Sequence, residues 1–61
     1  MDVYRAYFLD DKGKIAKPPE VLECNSDERA VQLAKPLLDG HDIEIWHGNR
    51  VVTVLRHHEN E

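Results

Sequence analysis

The run from His41 to Leu55 restricts the fold more than any other part of the chain. His41-Asp42-Ile43-Glu44-Ile45-Trp46-His47 alternates with a period of two, and Arg50-Val51-Val52-Thr53-Val54-Leu55 returns after Gly48-Asn49. Successive side chains of a strand point to opposite faces, so this period builds one apolar sheet face rather than a helix stripe. Gly48-Asn49 suits a two-residue type II′ turn, whose first central position needs glycine's positive φ. Pairing His47 with Arg50 predicts Trp46 opposite Val51, Ile45 opposite Val52, Glu44 opposite Thr53 and Ile43 opposite Val54. Ile43, Ile45, Val52 and Val54 then form the core face. Asp42, Glu44, Thr53 and Leu55, with Trp46 against Val51, occupy the other.

A second hairpin is predicted at the start of the chain. Val3-Tyr4-Arg5-Ala6-Tyr7-Phe8-Leu9 is aromatic and β-branched enough for a strand, and Asp10-Asp11-Lys12-Gly13 ends it in a tight turn. Lys14-Ile15-Ala16-Lys17 returns but meets Pro18-Pro19, and Val21-Leu22-Glu23-Cys24 resumes the extended path. Prolines donate nothing to a ladder, so this segment is an edge, a bulge or a break. Two registers are open. A three-residue loop pairs Leu9 with Ile15; a four-residue loop pairs Phe8 with Ile15 and turns Tyr4, Ala6 and Phe8 toward the core. In both, Val3, Tyr7 and Leu9 surround Arg5 on apolar ground.

Between the hairpins, Asn25-Ser26-Asp27-Glu28 starts a helix, with Ser26 or Asn25 as N-cap and acids at the positive end of the dipole. Asn25 with Glu28 approximates a capping box. Ala30, Leu33, Ala34, Leu37 and Leu38 recur at helical spacing, widened by Val31, and Gly40 gives a C′ signal. Pro36 kinks or shortens the helix near residues 32–36. The order is therefore ββαββ: an α+β domain over residues 1–56, one helix on a four-stranded antiparallel sheet, and a polar, fraying tail over 57–61.

Size sets the next constraint. A chain of 61 residues buries only about 60% of its unfolded surface and needs help from a disulfide, a metal or association. Cys24 is the only cysteine, so no internal disulfide forms and no Cys-rich zinc site can be built. Self-association is the remaining helper. The 41% hydrophobic content is too high for disorder, and no stretch approaches the ~18 apolar residues of a membrane helix. The N-terminal residues show no basic run followed by an apolar one, and a free thiol fits a reducing compartment, which together predict a cytoplasmic protein. Eight basic against twelve acidic residues, net −4, argue against nucleic acid as partner.

Side chains capable of chemistry are scattered. His41 and His47 lie a strand length apart, and His57 and His58 are adjacent and diverge, so no metal site or cofactor is expected. Cys24 has no glycine-rich loop or nucleophile context and suits the core, so catalytic residues are not expected either. Asp10, Asp11, Asp39 and Asp42 are explained by turns. Lys12, Lys14 and Lys17, with Arg5 near, make a candidate anion or nucleic-acid patch without interleaved aromatics; lysines protecting an edge is the competing account. Trp46, Val51, Tyr7 and Arg50 form the candidate interaction surface. One helix covers one sheet face, and nothing in the chain covers the other. The partner expected is a second copy of the chain or another protein.

Two resemblances accompany these residues. Tyr4-Arg5-Ala6-Tyr7-Phe8-Leu9-Asp10 with Gly13, Ile15 and Cys24, followed by Leu38-Asp39-Gly40-His41-Asp42-Ile43-Glu44-Ile45-Trp46, resembles a group of very short proteins of soil and plant-associated alphaproteobacteria. That resemblance covers nearly the whole chain and implies a bacterial cytoplasmic protein; it supplies no activity, ligand or catalytic residue. Residues 4–38 resemble the N-terminal part of HicB-type antitoxins in the order strand, Asp/Gly turn, strand, helix. The alternative to a plain interaction module is a small-molecule or nucleic-acid binder using Arg5, Lys14 and Arg50, for which this resemblance implies an antitoxin-like role.

Overall fold

The computed structural model describes residues 2–38 and 40–56. Asp39, His57, His58 and the expected fraying tail lie outside the described residues. Strand β1 (Asp2–Leu9) is followed by β2 (Ile15–Cys24), helix α1 (Asp27–Ala34), a 3-10 turn (Lys35–Leu37), β3 (Asp42–His47) and β4 (Arg50–Leu55). The four strands form one antiparallel sheet in the order β2-β1-β3-β4, with α1 packed on one face. The ββαββ, α+β expectation holds.

The first turn combines both predicted registers. Asp10 and Lys14 are bonded through backbone (2.7 Å), Gly13 takes φ +80°, and Leu9 pairs with Ile15 across a three-residue loop. The Asp10 carboxylate accepts the Lys12 and Lys14 amides at 2.9 Å, an Asx turn. Yet Tyr4, Ala6 and Phe8 face the core, the arrangement that the longer loop would have given. Two bulges reconcile them. Ala16 is extra between Leu9↔Ile15 and Phe8↔Lys17, and Pro18-Pro19 together oppose Tyr7 between Phe8↔Lys17 and Ala6↔Glu20. Each extra residue reverses the side-chain alternation. The second reversal brings Leu22 and Cys24 into the core while Lys17 lays its ammonium 4.4 Å from the Phe8 ring centroid. β2 is an edge strand, where two residues without N–H cost least.

The last hairpin corrects the predicted pairing. His47↔Arg50 and Trp46↔Val51 stand, and Gly48 has φ +63°. Beyond them Val52 is extra, so Ile45 faces Thr53, Glu44 faces Val54 and Ile43 faces Leu55. Val52 and Leu55 pack against the core, whereas Val54 stays exposed on the far face. The bulge in β4 interrupts strict alternation: Val52 packs against the core although its neighbour Thr53 stands opposite the buried Ile45.

Ser26 is the N-cap, its hydroxyl accepting the Arg29 amide at 3.2 Å, so the third helical residue is an arginine and the Asn25–Glu28 box does not form. Ala30 and Ala34, one turn apart and fully buried, let the backbone of α1 approach the sheet closely. Pro36 ends the helix: α1 stops at Ala34, and the chain tightens into the 3-10 turn with proline in its first positions. Gly40 (φ +79°) therefore turns the chain toward β3 rather than serving as C′ of α1. The core consists of Tyr4, Ala6, Phe8, Leu22, Cys24, Ala30, Ala34, Ile43 and Ile45.

Candidate functional site: the open face of the sheet

The face of the sheet opposite α1 presents side chains whose neighbours are set by the registers just described. Arg5 lies between Val21 and Trp46, Trp46 lies beside Val51, and Tyr7, Glu44 and Val54 form the next row. Val3 and Ile15 extend the apolar ground at either end of β1. Val3, Ile15, Val21, Val51 and Val54 are 37–61% exposed, an apolar population that the described residues leave uncovered.

At its centre the Tyr7 and Trp46 rings meet edge to face, with centroids 6.4 Å apart and planes at 82°. That geometry sets the positive edge of one ring against the negative face of the other. The indole N–H donates to Glu44 Oε1 at 2.7 Å, which fixes both the indole and the carboxylate. Tyr7, Ile15, Glu44, Trp46 and Gly48 line a shallow recess of about 340 Å³. Of the sequence-predicted contact residues, Trp46, Val51 and Tyr7 are brought together here.

Arg50 is placed elsewhere, which corrects its grouping with Trp46. Its guanidinium crosses to the helix side and grips Asp27, the first residue of α1, at 3.2 and 3.3 Å. The buried Tyr4 hydroxyl donates to Asp27 Oδ1 at 2.7 Å, and the Tyr4 ring stacks on His47 with centroids 4.4 Å apart. Arg50 Nη2 lies 3.2 Å from His47 Nδ1. A guanidinium has only hydrogens to offer, so Nδ1 accepts and the ring proton sits on Nε2, 3.6 Å from Asp2 Oδ2. This cluster ties β1, the helix start and the last hairpin together. Sequence reading missed it because its members are far apart in the chain; the available signal was an acidic helix start beside an unassigned arginine.

The electrostatics of the cluster are those of a latch. The Asp27 hydrogen bond, aided by burial, pushes the Tyr4 hydroxyl up to about 12. Hydrogen bonds from Arg50 and then Tyr4 hold Asp27 below the ordinary carboxylate range, and Asp27 raises Arg50. Every shift reinforces the charge state these groups already hold near neutrality, whereas a general acid or base works best when poised near the operating pH. The sign for stability follows by linkage. The Tyr4 contribution is complete below pH 10, the ordinary phenol value, and is lost as pH rises toward about 12. The Asp27 contribution is present above the ordinary value of 3.8 and is lost as pH falls through the lowered one. Thermal melts across pH are expected to show both flanks, and Tyr4→Phe with Asp27→Asn should flatten both. An alkaline flank unchanged in Tyr4→Phe would refute the assignment.

The remaining candidates do not converge. Lys12 and Lys14 sit at the β1–β2 turn. Arg5 is four residues from Leu9, roughly 13 Å along the strand, so the three do not make one patch. Cys24 is buried, with its thiol donating to the Ser26 carbonyl at 3.8 Å. Among the described residues no three His, Cys, Asp or Glu side chains converge as metal ligands, and no helix is long and apolar enough to cross a membrane. No family model, curated protein or solved structure matches this chain.

Proposed function

We propose that this protein is a non-enzymatic interaction or regulatory module that self-associates through the open face of its sheet. The observation that carries the reading is the Tyr7–Trp46 pair set among exposed valines on a face that the described residues do not cover. A domain this small, whose largest fully buried side chains among the described residues are Tyr4, Ile43 and Ile45, gains stability from any partner that binds its folded form. Tyr and Trp are also the residue types that dominate association energies. Against the alternative of an anion or nucleic-acid binder, Arg50 is engaged by Asp27, and Arg5 is distant from Lys12 and Lys14.

Light scattering after size-exclusion chromatography, over a range of micromolar concentrations, tests the reading. A mass near twice 7.1 kDa is expected. A mass near 7.1 kDa at every concentration overturns self-association.

A further inference from the structure

The open face carries two charges whose placement specifies how a second copy would sit. The Arg5 side chain makes no hydrogen bond or ion pair with the described residues, although it lies between Val21 and Trp46. Glu44 accepts the indole N–H through one oxygen and has no ion-pair partner among the described residues. Arg5 opposes Trp46 and Tyr7 opposes Glu44, so these four occupy the corners of one small quadrilateral on the face. Its diagonals are Tyr7–Trp46 and Arg5–Glu44.

Resting on the reading of this face as the self-association surface, we propose that each copy seats its Arg5 in the recess of the other, against the partner's Glu44 and Trp46. A two-fold axis lying in the face along the Tyr7–Trp46 diagonal approximately exchanges Arg5 with Glu44. Two identical ion pairs then flank a central aromatic cluster, which is the self-complementarity that a two-fold interface requires. The guanidinium gains the carboxylate and the indole face together, a charge pair supplemented by a cation–π contact. Strands of the two sheets cross steeply in this arrangement, close to the orthogonal mode of sheet packing.

Area favours the face over an edge. The two longer dimensions of the molecule are 31 and 22 Å, which bounds the footprint of the face at roughly 700 Å², below the ~800 Å² per partner of a standard stable interface but well above what an edge offers. The exposed edge of β4 offers six residues, about 20 Å of strand, and far less surface. The other edge, β2, carries Lys17, Pro18, Pro19 and two bulges, features that resist strand addition.

The test is a charge exchange read by light scattering, with circular dichroism confirming that each variant folds. Arg5→Glu alone and Glu44→Arg alone are each expected to weaken the dimer about 100-fold or more. An equimolar mixture should restore the dimer mass, because the mixed pair recovers opposite charges at both positions. Glu44→Gln retains an acceptor for the indole and guards against misfolding; it should weaken association about tenfold. A dimer that is lost in Trp46→Ala but unaffected by either reversal overturns this seating and leaves the face as the association surface. Reversals that dissociate the dimer without recovery on mixing also overturn it. A wild-type chain that is monomeric throughout overturns the seating and the self-association reading together.

Discussion

Ile45→Ala is expected to remove about half of the folding stability of the chain. Ile45 is fully buried, lies between Ala6 and Thr53 in the sheet, and belongs to the layer covered by α1. Truncating a buried isoleucine costs about 2–5 kcal/mol, the transfer of the lost groups plus the cavity that remains. A chain of 61 residues has roughly 3–9 kcal/mol of stability in total. The substitution therefore removes about half of it. The cavity is not easily refilled, since Ala6 on the neighbouring strand and Ala30 and Ala34 on the helix have no side-chain length with which to move in. A urea titration followed by far-ultraviolet circular dichroism measures this, at dilution sufficient to keep mass action from masking the loss. A midpoint within error of wild type would show that Ile45 is not in the core.

Trp46→Ala is the counterpart on the other face. Here the largest loss is expected in association, with folding affected less. Removing the indole abolishes the edge-to-face contact with Tyr7, the tether on Glu44 and one wall of the recess. A central tryptophan in an interface is worth about 2 kcal/mol or more on truncation, so the dimer constant should rise by ~30-fold or more. Sedimentation equilibrium across concentrations reads it directly. The intramolecular aromatic pair contributes only about 0.5–1.5 kcal/mol, which bounds the expected loss of folding stability from that contact. If the variant unfolds while its residual dimer is as tight as wild type, Trp46 acts in folding and the association surface lies elsewhere. Both substitutions fall on β3, at adjacent positions. Their different outcomes would report the alternation of that strand between a covered and an open face.

What local chemistry dictates was legible in the sequence. The period of two over 41–47, the glycine-led turn at 48–49, the Asp10 to Gly13 turn and the Ser26 cap each depend on residues within a few positions of one another. Their energies are decided before the rest of the chain arrives, and together they specify ββαββ. The open aromatic face followed from counting, since one helix cannot cover both sides of a sheet.

The tertiary structure decided the registers, the end of the helix and the position of Arg50. A strand can accommodate an extra residue at small local cost, and the gain appears only when Leu55 rather than Val54, and Leu22 and Cys24 from β2, reach a core that other elements complete. Pro36 allows several local endings; the structure adopts a tightened turn that still sets Leu37 and Leu38 against the core. Arg50 could serve Trp46 or Asp27 as far as its neighbours reveal. Only packing α1 across the sheet brings Asp27, 23 residues away, within reach of both Tyr4 and Arg50. Short-range preferences set which elements form, and long-range burial sets which faces they turn to one another, because the free energy that distinguishes the faces exists only once the elements meet.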